Sequence, residues 1–309
     1  MRMSGVHNRS TGHPGGRPRH PDRAGPAAGL APATLTAIPG SDREWLAAFE
    51  AAGTSVRASI GHLLGTEAGR SEVGIGAGGD RTVELDRLAE VAALAELTRF
   101  ARSGHPCSVL SEEAGPVDLG AEYPRVVLDP VDGSLNAKQG LPLAAVMLSL
   151  LEGPSVSDIR LGWVLNLVSG ERWHAVRGGG LYRNGGAVTP LPARGRPGRI
   201  GVLGIESSPR DLCKIQPLIE RASKVRLLGS VALALAHTAS GGIEVFAAPI
   251  RARIFDLTAG LLMVAEAGGA ITDLEGGPLK EAIVALDTRT TLLGSADPAL
   301  HRLALEALQ

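Results

Sequence analysis

The residues best suited to chemistry are the acidic ones of Asp129-Pro130-Val131-Asp132-Gly133-Ser134-Leu135-Asn136. An apolar run, Val126-Val127-Leu128, precedes them and predicts a strand. Pro130 offers no N–H to a ladder, which predicts that the strand stops after Asp129. Two carboxylates three residues apart then face a turn, and Gly133-Ser134 predict the start of a short helix. Hard divalent cations need clustered oxygen ligands, and the free N–H groups at a helix start attract phosphate. The octapeptide therefore has the parts to hold a metal ion and the group it acts on. The plainer reading is a structural turn, because Asp, Pro and Gly are turn formers.

Other acidic positions stand at the ends of predicted elements. Glu112-Glu113 follow a strand at Ser108–Leu110. Asp256 follows Ile254-Phe255 and opens an apolar helix that finishes in Glu266-Ala267-Gly268-Gly269. Asp86 lies in the first turn of its helix. Each has an ordinary explanation when taken singly. A Glu-Glu pair in a loop is solvated surface, and an acid in a first turn complements the helix dipole.

These residues need a scaffold, and the pattern supplies one. Ser41-Asp42 make an N-cap before a helix that runs to Leu64. A glycine-rich loop, Gly74–Gly79, leads to a helix from Glu84 to Ala101, with Leu85, Leu88, Val91, Ala92 and Ala95 on one face. That loop neither follows a clear strand nor opens into a helix, which argues against a dinucleotide fingerprint. Ala145–Leu151 reads as a strand, and Leu161–Val168 with Arg172–Val176 as a hairpin. Beyond a linker at Leu191–Gly198 the elements alternate. Strands are expected at Ile200–Leu203, Val225–Leu228, Ile243–Ala247 and Ala282–Ala285. Helices are expected at Pro209–Ala222, Val231–Ser240, Asp256–Ala267 and Pro298–Leu308. The fold class is α/β, with an α+β N-terminal half. The expected organisation is a disordered tail over residues 1–40, an α+β domain over 41–190 carrying the acidic motifs, and an α/β domain over 191–309 contributing Asp256. The tail is rich in Gly, Pro, Arg and His and lacks apolar periodicity, so it cannot offset the entropy of ordering.

Bulk properties exclude several function classes. The chain has 309 residues and a net charge of −1, so no global field draws it to nucleic acid or an anionic membrane. Aromatic residues are 3%, too few for base-stacking platforms. No apolar run reaches membrane-spanning length. Cys107 and Cys213 form neither a CxxC pair nor a disulfide framework, which fits a reducing cytoplasm.

Taken in order, Ser111-Glu112-Glu113, then Leu128 to Asn136, then Phe255-Asp256-Leu257-Thr258-Ala259-Gly260 through Gly269 resemble the inositol monophosphatase family of Mg²⁺-dependent, lithium-sensitive sugar phosphatases. Supporting segments are Leu85–Glu90 and Arg177–Gly185. The wording is most like the archaeal-type branch acting on inositol phosphates and fructose 1,6-bisphosphate. The resemblance runs from about Ser41 to the C-terminus and implies a layered α-β-α-β-α fold. It also implies that Glu112, Asp129 and the Val131 carbonyl hold one Mg²⁺, while Asp129, Asp132 and Asp256 hold a second. Such a pair activates water and steadies the leaving oxygen of an in-line phosphoryl transfer. Ser134, hydrogen-bonded to Asp86, would take the water's proton. The N–H groups of Gly133 and Ser134 would cradle the phosphate. The implied catalytic set is Asp86, Ser134 and Glu112, the partner a small phosphorylated sugar or cyclitol, and the assembly a cytoplasmic homodimer.

The chain departs from the family pattern at four points. Ser134 stands where Thr is common, which keeps the hydroxyl. Phe255 replaces the usual Trp or Val. Gly78 stands where an acid often helps a third ion, with Asp80 as the nearest substitute. Ala247-Ala248-Pro249-Ile250 lacks the acid that grips sugar hydroxyls in inositol-preferring relatives. Substrate contacts are expected from Ser207, Arg177 and Arg253, with Arg251 and Arg253 suited to a second phosphate. Ser207-Ser208 read equally well as a cap before Pro209, and Arg177 as support for the Gly178–Gly180 turn. His174 and His237 read as core histidines. Alternative functions are the same fold with histidinol phosphate or 3′-phosphoadenosine 5′-phosphate as substrate, or a non-catalytic binding protein.

Overall fold

A computed structural model describes residues 40–77, 79, 81–193 and 195–309. The expected tail, apart from Gly40, and the positions Gly78 and Asp80 lie outside the described residues. The first helix, α1 (Asp42–Ile60), starts where a capping box closes it: the Ser41 hydroxyl accepts from the Glu44 N–H, and Glu44 reaches back to Ser41. The glycine-rich segment forms a small hairpin, β1 (Glu72–Ile75) with β2 (Arg81–Val83), leading directly into α2 (Glu84–Arg102).

A seven-stranded sheet follows: β3 (Cys107–Ser111), β4 (Gly115–Asp132), β5 (Ala145–Leu151), β6 (Ile159–Asn166), β7 (Arg172–Val176), β8 (Gly180–Arg183) and β9 (Gly186–Ala187). The helix α3 (Ser134–Gln139) interrupts it between β4 and β5. The long β4 pairs with β3 twice, first folding back (Ser111↔Gly115) and then alongside (Ser111↔Leu128). The strand does not stop at Pro130 as the sequence predicts. The register with β5 shifts between Asp129 and Asp132, so the missing N–H is absorbed in a bulge and pairing resumes at Asp132↔Ala145. Asn184-Gly185, both at positive φ, turn β8 into β9.

The second sheet has the order β11-β10-β12-β14-β13. Its members are β10 (Ile200–Ile205), β11 (Ala222–Arg226), β12 (Val245–Arg253), β13 (Ala270–Thr272) and β14 (Arg289–Ser295). Its helices are α4 (Gln216–Arg221), α5 (Val231–Ala239), α6 (Ile254–Glu266) and α7 (Pro298–Leu308). The long helix expected over 209–222 is instead a 3₁₀ turn, Leu212–Ile215, followed by the short α4, whose start carries Pro217. A proline inside one continuous helix would lose a hydrogen bond and clash with the preceding turn. The strand expected at 282–285 is one isolated bridge, Ser155↔Ile283. Its place in the sheet is taken by β14, where Thr290 and Thr291 precede Leu292 and Leu293.

Three apolar clusters stack these elements in the order α-β-α-β-α. Val126, Leu128, Val146 and Leu148 face α1 and α2, packing with Trp45, Phe49, Leu85 and Leu97. The alternate residues Val127, Ala145 and Met147 face α5 and α6, whose other side meets Phe246 and Leu292 of the second sheet. Val245, Ala247 and Leu293 turn outward to α4 and α7. Strand alternation thus builds a core on both faces of each sheet. The middle layer is tight. A Cβ on Gly162 of β6 would lie 2.8 Å from the Ala259 Cα, and one on Gly260 2.4 Å from Leu235 side-chain atoms. This is the physical need behind Ala259-Gly260 in the third acidic block.

Candidate active site

The carboxylates singled out in the sequence meet in one cleft. A cavity of about 450 Å³ is lined by Asp86, Glu112, Glu113, Asp129, Val131, Asp132, Gly133, Ser134, Lys138, Arg253 and Asp256, among others. The acids arrive from four element ends: the start of α2, the end of β3, the end of β4 and the start of α6. Asp86 is in the first turn of α2, where its Oδ2 accepts from the Val83 N–H at 3.4 Å. Four residues on and on the same face, Glu90 accepts from the Ala114 N–H at 2.7 Å and from the Ser111 hydroxyl, holding the loop that carries Glu112 and Glu113. The Glu112 N–H donates to the Leu128 carbonyl at 3.2 Å, which sets Glu112 beside Asp129. The Glu113 carboxylate accepts from the Thr82 hydroxyl, tying the small hairpin to the same loop.

The octapeptide is a turn and a site at once. Asp129 accepts from the Val131 N–H at 3.0 Å, closing the bulge around Pro130. Asp132 accepts from the Ser230 hydroxyl and from the N–H groups of Val231 (3.2 Å) and Ala232 (3.0 Å), so it closes the start of α5. Gly133 has φ +81° and a Cβ there would lie 2.8 Å from the Gly229 carbonyl oxygen, so only glycine fits. Asn136 donates to the carbonyls of Leu143 (2.8 Å) and Leu228 (2.7 Å), anchoring α3 to both sides of the cleft.

Burial makes these charges costly. It drives the Asp129 carboxyl well above its ordinary range, with Glu112, Asp132 and Asp256 adding like-charge repulsion. Burial also lifts Asp132 to about 7, against the pull of its bond from Ser230. Asp256 is pushed up to about 6 by burial, with Arg253 opposing the shift. Asp86 rises for the same reason, with Lys138 opposing.

Two cationic side chains stand among the acids. Arg253 spans Asp256 (Nε–Oδ2 2.9 Å) and Glu112 (Nη2–Oε1 2.5 Å). Lys138 Nζ lies 3.5 Å from Asp86 Oδ2. Lys138 escaped the sequence reading, although the i,i+4 spacing from Ser134 on a helix was a usable signal. The hydrogen bond expected between Ser134 and Asp86 is not among those formed by the described residues. Asp86 Oδ2 faces Lys138 instead, and Asp86 Oδ1 is buried with no partner among the described residues.

Two predicted substrate contacts stand outside the cleft lining. Ser207 turns its hydroxyl to the Ser208 carbonyl, and Ser208 bonds Asp211. Arg177 pairs with Glu152 and donates to the Ser157 carbonyl. The turn beside it is held by Glu266, which accepts from the N–H groups of Gly178 and Gly180, both at 2.8 Å. His174 stacks on Tyr182 and His237 meets the edge of Trp173; both are half-buried, short of the core positions expected.

Among the described residues no three acidic, His or Cys side chains stand at a spacing ready to hold a metal. Arg253 lies between two of the candidates. The residues fit a hard divalent cation in kind. They are oxygen-bearing and mutually repelling, Asp129 and Asp132 are buried, and Asp256 Oδ1 is buried with no hydrogen-bond partner among the described residues.

The chain is similar to a fructose-1,6-bisphosphatase/inositol-1-monophosphatase of Thermococcus kodakarensis, 32% identical over 251 residues, covering 80% of this chain and 90% of that one. A protein of the same description from Methanothermobacter thermautotrophicus is 29% identical over 266 residues, covering 82% and 92%. The crystal structure of extragenic suppressor protein SuhB from Bartonella henselae superposes with a TM-score of 0.71 at 26% identity, covering 86% of this chain and 98% of that one. The family model described as the inositol monophosphatase family matches residues 44–309, a span that takes in every acid of the cleft, and the chain belongs to that family.

Proposed function

We propose that this chain is a Mg²⁺-dependent phosphatase of small polyol phosphates, of the inositol phosphate or fructose 1,6-bisphosphate type. The hydrolase class follows from the family; the substrate and the metal are the proposal. The observation that carries it is the meeting of six carboxylates, Asp86, Glu112, Glu113, Asp129, Asp132 and Asp256, in one cavity beside the start of α3. The acids of that lining outnumber its cations, Lys138 and Arg253, so the cleft carries an excess of negative charge that divalent ions can balance. Glu112, Asp129, the Val131 carbonyl, Asp132 and Asp256 would hold them. Bound there, such ions supply Lewis-acid activation of water and charge neutralisation at the leaving oxygen.

The chain's own residues do the rest. The backbone of Gly133 and Ser134 offers N–H groups to the phosphate. The Ser134 hydroxyl receives the proton of the attacking water and passes it towards Asp86, whose Oδ1 has no other partner among the described residues. The water oxygen bonds to phosphorus as the ester P–O bond breaks; the departing alkoxide takes a proton from solvent water in the cleft, and the proton held by Asp86 is released to solvent, leaving the alcohol and inorganic phosphate. Lys138 favours the anionic form of Asp86 through their ion pair, opposing the upward pull of burial. A homodimer in the cytoplasm completes the proposal, with the boundary between its two halves at 190/191.

The test is release of inorganic phosphate from a panel of purified esters with Mg²⁺, ranked by kcat/KM. The panel holds inositol phosphates, fructose 1,6-bisphosphate, histidinol phosphate and 3′-phosphoadenosine 5′-phosphate. A polyol phosphate at the head of the ranking is the expected result. No turnover of any ester would leave the non-catalytic reading standing.

A further inference from the structure

Arg253 is the last residue of β12 and the N-cap of α6, and its side chain is only 11% exposed. It reaches one acid from its own helix, Asp256, and one from the far sheet, Glu112, 141 residues away in sequence. Both acids belong to the set implied for cation binding. A guanidinium and a divalent cation cannot share those oxygens at close range, because two positive charges would be confined together in a low-dielectric site. Asp256 keeps its Oδ1 buried and without a partner among the described residues, so Arg253 answers only part of that carboxylate's demand.

We propose that Arg253 is a resident counter-ion which a divalent cation must displace, so that one arginine both ties the two sheets across the cleft and sets the cation concentration the enzyme requires. The proposal rests on the metal-dependent phosphatase reading above. In the absence of divalent cations, the single charge of Arg253 offsets the repulsion between Glu112 and Asp256 and keeps the cleft assembled. On cation binding the doubly charged ion takes over that task, and the guanidinium leaves both carboxylates. Lys138 has no such conflict, because its partner Asp86 is outside the implied ligand set. A purely structural Arg253 would stay in place on binding, and removing it would loosen the site and weaken cation affinity. A displaced Arg253 predicts the opposite sign.

The experiment is isothermal titration of Mg²⁺ alone into the EDTA-treated, dialysed full chain, as wild type, Arg253→Gln and Arg253→Lys, with thermal melts of each sample in EDTA and in saturating Mg²⁺. Arg253→Gln is expected to bind Mg²⁺ about tenfold more tightly, the factor equivalent to one charge-assisted hydrogen bond lost by the competitor. Its melting temperature is expected to fall in EDTA and to return to the wild-type value in Mg²⁺. Arg253→Lys, which keeps a charge but not the fork that reaches both acids, should lie between the two. It also serves as the folded comparison if the Gln variant does not fold. Equal or weaker Mg²⁺ affinity in the variants would overturn the displacement. Wild-type protein that bound no Mg²⁺ would instead overturn the reading on which it rests, so the two failures are distinguishable.

Discussion

The Ser230 hydroxyl donates to the Asp132 carboxylate, joining the end of β4 in the first sheet to the first residue before α5. Two backbone N–H groups of α5 complete the same acceptor set. An acid that the family resemblance implies as a cation ligand is therefore also the cap of a core helix. Its side chain spans the junction where both sheets deliver residues to the cleft.

That double role separates two substitutions. Asp132→Ala removes the cap and should cost about 1–2 kcal/mol of stability with or without Mg²⁺. Asp132→Asn keeps an acceptor for α5 and matches the protonated acid in shape. In EDTA it should stay within about 0.5 kcal/mol of wild type, while losing most of the stabilisation Mg²⁺ confers. Denaturant melts in EDTA and in Mg²⁺ check both. An Asn variant as unstable in EDTA as the Ala variant would mean that the carboxylate's charge, not its acceptor geometry, holds α5.

Asp129 is the most crowded of the acids, with Glu112, Asp132 and Asp256 all raising its carboxyl. Asp129→Asn removes charge from both implied cation sites at once. Turnover should fall by at least about 10³-fold, the scale of losing a central electrostatic partner in catalysis. Asp256→Asn should act more narrowly and move the Mg²⁺ optimum upward. Steady-state rates at saturating Mg²⁺ decide this, and wild-type turnover by Asp129→Asn would end the two-ion proposal.

Neither Ser134 nor Asp86 supplies a side-chain oxygen to the implied cation ligand set, so the proton route proposed between them can be probed separately from cation binding. Ser134→Ala leaves every implied ligand in place. Mg²⁺ affinity should persist while kcat falls by about 10²–10⁴-fold, the usual reach of general acid–base assistance. Ser134→Thr should remain active, because the hydroxyl is retained. Calorimetry paired with single-turnover rates gives both readouts, and an active Ser134→Ala enzyme would move water activation to another group.

Three of the acids were legible in the sequence because Glu112, Asp129 and Asp256 each stand where an apolar run ends. Glu112 follows β3 and Asp256 follows Phe255, so the strand and helix ends that expose them leave a pattern in one dimension. Arg253–Glu112 left none, since it joins residues 141 apart through the meeting of two sheets. Arg177 and Ser207 looked equally polar and equally close to glycine or strand ends, yet the partners that claim them, Glu152 and the Ser208 carbonyl, become visible only in three dimensions. β14 was missed although Arg289–Ser295 carries a β-branched pair, because a strand of that length competes with ordinary loop. The Asn184-Gly185 turn was a readable hairpin signal that the flanking short strands obscured.

The raised carboxyls also make stability depend on pH in a definite direction. Asp132 sits at about 7 and Asp256 at about 6 in the folded protein, with Asp129 also displaced upward. All three return to about 4 when unfolded. A folded value above the unfolded one means that the fold binds protons the unfolded chain releases. The associated stability is fully present below about pH 4 and is lost as pH climbs through about 6 to 7. In EDTA the melting temperature should therefore fall between about pH 5 and about pH 8. Divalent cations bind the deprotonated carboxylates, so the rise in melting temperature on adding Mg²⁺ should grow over the same interval. Asp132→Asn, which has no proton to lose, should flatten part of the EDTA slope. Differential scanning calorimetry across that interval measures all three quantities. A wild-type melting temperature in EDTA that held level or rose would show that other groups ionise the cleft without cost.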